Sequence, residues 1–62
     1  MTKQEKINLS KACGRFKYLI IDSNDQEYGT TSTFYHAADG GKKINGEVWL
    51  NGKMVQTYRK EH

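Results

Sequence analysis

Apolar and polar positions alternate most cleanly between Gly46 and Lys60, in GEVWLNGKMVQTYRK. Asn51-Gly52 stands between the two alternating runs. A two-residue hairpin loop needs positive φ at both central positions, which Asn and Gly tolerate. The pattern predicts strands over about 43–50 and 53–59, with Leu50 opposite Lys53, Trp49 opposite Met54 and Val48 opposite Val55. Cross-strand partners share a face, and faces alternate along a strand. One face then carries Ile44, Val48, Leu50, Val55 and Thr57 and reads as core. The other carries Trp49, Met54 and Tyr58 among Asn45, Glu47 and Gln56, and mixes aromatic with polar character.

Upstream, RFKYLIID predicts a strand over about 15–22, with Phe16, Tyr18 and Ile20 on one side and Leu19 and Ile21 on the other. Apolar residues on both sides imply a central strand covered on both faces. Ser23 to Asp25 is turn chemistry. The Thr- and aromatic-rich run over about 26–36 predicts a third strand, with Gly29 marking a bulge or bend. Asp39-Gly40-Gly41 predicts a loop before the last hairpin. At the N-terminus, Thr2 with Glu5 fits a capping box, Leu9, Ala12 and Cys13 share a helical face, and Gly14 suits a helix end. KINLS also alternates as a strand would. The expected fold is α+β or mainly β. A small antiparallel sheet of four to five strands runs in meander order, with a short N-terminal helix. A first strand in place of that helix would make a five-stranded barrel.

Composition narrows the setting. The 62 residues make a single small domain, 1–62, and only 35% of them are hydrophobic. A chain this short gains from a disulfide, a metal or a partner surface. Cys13 is the single cysteine, so no internal disulfide forms. Efficient packing or a homodimer is left as the remedy. A lone cysteine, no apolar run of membrane-spanning length and no apolar signal core together suit a cytoplasmic, intracellular chain without membrane contact.

Candidate chemistry is sparse. Cys13, His36 and His62 lack the paired short spacings of a structural zinc site, so no metal and no cofactor are expected. Nothing in the sequence brings Cys13 and His36 together as a thiolate pair, and Asp22 and Asp25 are explained by a turn. No catalytic residue is expected, and the chain reads as a non-enzyme. Gly40, Gly41, Lys42 and Lys43 form a candidate anion contact, because consecutive N–H groups in a tight loop can make a nest.

The net charge is +3, and cations gather in the last third. Lys43, Lys53, Arg59 and Lys60 rim the face of Trp49, Met54 and Tyr58. Trp, Tyr, Met and Arg are enriched at interface centres. The leading expectation is a small regulator or inhibitor that docks stoichiometrically through this face on a larger assembly, for instance a nucleic-acid-handling complex. Chains of this size and type are frequent among accessory proteins of phages and mobile elements. The alternative is a single-stranded nucleic-acid-binding module of small β-barrel type, with bases stacked on the rings and phosphates on the cations. Everything then turns on whether an N-terminal helix covers Trp49.

Overall fold

The computed structural model describes residues 1–60. Helix α1, Lys3–Ala12, starts at the capping box that the sequence announces. The Glu5 amide donates to Thr2 Oγ1 at 3.2 Å, and the Thr2 amide donates to Glu5 Oε1 at 2.8 Å. The helix stops at Gly14, whose φ of 100° suits a residue without Cβ. Strands β1, Tyr18–Ile21, and β2, Glu27–Thr31, follow. Helix α2, Phe34–Lys43, precedes the closing hairpin of β3, Glu47–Leu50, and β4, Lys53–Thr57.

The fold is α+β, with two helices and one four-stranded antiparallel sheet. The strand order is β2-β1-β3-β4 rather than the expected meander. β1 is central because it is apolar on both sides, as read from YLII. Leu19 and Ile21 pack with Trp49 beneath α1, and Ile20 packs with Val48 and Ala37 beneath α2. A helix on each face leaves no room for the barrel alternative. The bulge expected near Gly29 is present, since Ile20 pairs with Gly29 and Ile21 with Glu27.

Residues 34–43 form a helix, where the sequence suggests the end of a strand and a loop. Two glycines cost such a helix roughly 1 kcal/mol each against alanine. Packing explains them. A Cβ on Gly40 would stand 3.3 Å from Ile20 Cδ1, and one on Gly41 would stand 3.2 Å from Val48 Cγ2 and 3.3 Å from the Tyr58 ring. The glycines let α2 lie close on the sheet. The helix closes with Asn45 at φ 52° and two nested bonds, from the Asn45 amide to Lys42 O and from the Gly46 amide to Gly41 O.

Gly46 then meets backbone, since a Cβ there would stand 2.1 Å from Ile21 O. Gly46→Ala should therefore cost at least about 2 kcal/mol, because a carbonyl in the sheet cannot yield as a side chain can. Gly29→Ala, with open space around the new methyl, should stay within about 0.5 kcal/mol of the parent. Urea denaturation of the two variants measures the difference.

Candidate functional site

The final hairpin keeps the register of its turn for two pairs, Leu50 with Lys53 and Trp49 with Met54. Val55 is then an extra residue, and Val48 pairs with Gln56 instead. A bulge of one residue reverses the faces beyond it. Tyr58 consequently lies against Gly41 of α2, on the side of the sheet opposite Trp49. The expected trio of Trp49, Met54 and Tyr58 is thus a pair.

Trp49 is 5% exposed and is packed with Leu19 and Ile21, with Ile7 and Leu9 of α1 and its C-cap Cys13 against them. The N-terminal helix covers the face that the sequence offered to a partner. The line of α1 that meets the sheet is polar, for Lys6 and Ser10 are its buried positions. Ser10 Oγ accepts from the Gly52 amide at 2.8 Å and donates to Ile7 O at 3.0 Å, which ties the Asn-Gly turn to the helix.

Lys6 enters a closed ring of charge. Its Nζ donates to Asp25 Oδ1 at 2.8 Å and to Glu47 Oε1 at 2.9 Å. The Arg59 guanidinium bonds the same Asp25 oxygen, approaches Glu47 Oε2 at 3.5 Å and donates to Ser23 O at 3.1 Å. Trp49 Nε1 donates to Glu47 Oε1 at 3.1 Å. Two cations and two carboxylates alternate, so the ring is neutral. It joins α1, the β1–β2 turn, β3 and the segment after β4.

Each ring member is held in its charged form. The Lys6 hydrogen bond lowers Asp25 below the usual carboxylate range; desolvation opposes this, and Arg59 adds to it. Desolvation pushes Glu47 up, but hydrogen bonds from Lys6 and Trp49 outweigh it and leave Glu47 lowered. Desolvation likewise pulls Lys6 down, and its bonds to Asp25 and Glu47 leave it raised. The bond to Asp25 raises Arg59. Every buried side-chain polar atom among the described residues has a partner.

Beside this ring, α1 and β4 flank an open groove of about 450 Å³. Its floor is Ile7, the edge of Trp49, and Met54, which is 47% exposed. Lys3 and Lys53 stand at its rims, and the Lys6–Glu47 pair closes one end. Trp49, Met54 and Lys53 therefore do come together, although only the margin of the indole is accessible.

The other candidates are elsewhere. Lys43 sits on α2 and pairs with Asp39 at 3.2 Å, one helical turn away. Gly40, Gly41 and Lys42 are helical too, so their amides serve the helix and form no anion nest. Arg59 is spent on the charged ring, and with Lys60 it borders a shallow polar depression beside Ser23 and Asn45. Among the described residues no three His, Cys, Asp or Glu side chains cluster as metal ligands, and His62 lies outside the described residues. No helix among the described residues is long and apolar enough to cross a membrane.

Three participants were hidden from sequence reasoning. Lys3 and Lys6 look like ordinary solvated helix charges, and Glu47 like a polar interruption of a strand. No protein-family model, curated protein or solved structure matches the chain.

Proposed function

We propose that this chain is a non-enzymatic binding protein that docks stoichiometrically on a larger protein and regulates it by occupying a site there. The supporting observation is the groove between α1 and β4. It offers an exposed Met54 beside the rim of Trp49 and Ile7, between two cations, and among the described residues the groove holds no carboxylate other than the engaged Glu47. An apolar floor with a charged rim is the anatomy of a protein interface. Methionine adapts to varied partner surfaces. The occupant that fits is a partner segment with one apolar anchor and acidic flanks. The anchor fills the space over Met54 while the flanks meet Lys3 and Lys53. β4 borders the groove as an edge strand, but its bulge at Val55 interrupts the straight edge that strand addition needs. Side-chain docking in the groove therefore carries the reading.

The test is a photo-crosslinking amino acid at Met54, with a second at Tyr28 as control. Position 54 should give a nuclease-resistant one-to-one adduct with one protein, mapped to an acidic-flanked apolar peptide, and position 28 should not. Equal adducts at both positions, a self-adduct, or capture that nuclease abolishes would overturn the reading.

A further inference from the structure

The acidic residues of the sheet gather at one end, where Lys6 and Arg59 neutralise two of them. Ile21 pairs with both Glu27 and Glu47, which sets these acids, with Asp22 and Asp25, at the end where β1 finishes. The other end collects the loop from Cys13 to Lys17, the β2–α2 link and the Asn51-Gly52 turn. Two shallow depressions meet there at Phe16. One lies between Phe16, Arg15, Leu50, Lys53 and Val55; the other extends from Phe16 past Lys17 to Ser32. Among the described residues, none that lines either depression is acidic.

The rings at this end are open. Phe16 is 84% exposed, between Arg15 and Lys17 in the chain. Tyr18 meets Phe34 edge to face, with centroids 5.5 Å apart, and Phe34 and the neighbouring Tyr35 are exposed. β1 and the start of α2 thus bring two distant aromatic segments to one place. The fold does not use the Phe16 ring for packing, so its flat face is available to a ligand.

We propose that this pole is a second binding surface, which shares only Lys53 with the α1–β4 groove, and that it takes single-stranded nucleic acid. Unpaired bases present flat faces to Phe16 and to the Tyr18–Phe34 pair, and the intervening phosphates meet Arg15, Lys17 and Lys53. Ring stacking with cation–phosphate contact holds a single strand whatever its sequence. An acidic peptide would satisfy the same cations but would gain little from an open phenyl ring. A duplex keeps its base faces stacked and closed to Phe16. The sequence pointed to such a ligand on the Trp49 face, where the indole is buried; the available rings are at this pole instead.

The experiment is fluorescence anisotropy of a labelled oligothymidylate of about ten nucleotides, titrated with the full chain at several salt concentrations. Three phosphate contacts give log K a slope of about −2 against log salt, a weakening of roughly 20-fold between about 50 and 200 mM. Phe16→Ala should weaken binding by about tenfold, with an unchanged far-UV circular dichroism spectrum. Tyr28→Ala, an exposed aromatic at the far end of β2, should bind as the parent does. Absence of binding at low salt, full binding by Phe16→Ala, or equal affinity for polyglutamate of matched charge each overturns the proposal. None of these results bears on the crosslink at Met54, so the two surfaces stand or fall separately.

Discussion

Trp49→Ala should cost about 3–5 kcal/mol of stability. The whole fold of 62 residues is worth roughly 3–9 kcal/mol, so this variant should lose at least about a third of its stability. The indole joins Leu19 and Ile21 under α1, and among the described residues it is the one large ring in that layer. Its removal leaves a cavity that the polar contact line of α1 cannot fill, because Lys6 and Ser10 are fixed by partners on the sheet side. Trp49→Phe keeps most of the volume and loses the hydrogen bond to Glu47 Oε1. That variant should fold and lose about 1–3 kcal/mol, since a buried charged acceptor is left short of a donor. Trp49 is the only tryptophan, so in the parent a blue-shifted emission that moves red with urea reports the same packing. A Trp49→Ala chain that unfolds at the parent's urea concentration would show that α1 does not depend on the indole.

This expectation reverses the first reading of Trp49, and the reversal locates what the pattern could carry. The capping box at Thr2, the stop at Gly14, the two-sided burial of β1 and the Asn51-Gly52 turn are all local signals. Each depends on a few neighbouring residues, and each is realised. Strand order is not local, for β1 pairs with β3 across the whole of β2 and α2. The bulge at Val55 has no sequence mark, since no glycine stands there. It alone moves Tyr58 from the side of Trp49 to the side of α2. Helix α2 was obscured by its own adaptation. Gly40 and Gly41 are poor helix formers, chosen for the closeness of α2 to Ile20 and Val48.

The site was legible in part for the same reason. Trp49, Met54 and Lys53 are neighbours by the register of one turn, so they could be grouped from sequence. Lys3 and Ile7 join them only because α1 packs across β3, a long-range contact. Phe16 looked like one more strand residue. Its exposure follows from β1 starting at Tyr18 rather than Arg15, a difference of three positions that turns a core aromatic into a surface one.

The charged ring carries the second large effect. Glu47→Ala should cost about 3 kcal/mol, because breaking a buried ion pair strands the remaining charge. Lys6 would keep only Asp25, Arg59 would lose one of its carboxylates, and the Trp49 indole would lose its acceptor. Lys6→Met should cost about 2 kcal/mol, because Glu47 is left with the Trp49 indole and the longer contact to Arg59. The double variant, Lys6→Met with Glu47→Leu, removes one charge of each sign and leaves Asp25 and Arg59 paired. It should be more stable than either single variant, at about 1 kcal/mol below the parent, most of that from the unpartnered indole N–H. The pH dependence separates this account from packing alone. Asp25 and Glu47 titrate lower in the fold than in the unfolded chain, so their contribution is complete above about pH 5 and is lost as pH falls through the lowered values. Lys6 titrates higher in the fold, so its contribution is complete below about pH 10 and is lost as pH rises through the raised value. Parent stability should therefore be level between these limits and fall on both sides. In the double variant the acid fall should be shallower, since Asp25 is the one carboxylate left in the ring and has lost its hydrogen bond from Lys6, and the alkaline loss due to Lys6 should vanish. If urea denaturation across this range gave parent and double variant the same acid slope, Glu47 would be titrating alike in the folded and unfolded chains. The ring would then be a matter of shape, with Lys6 buried for its methylene stem rather than its charge.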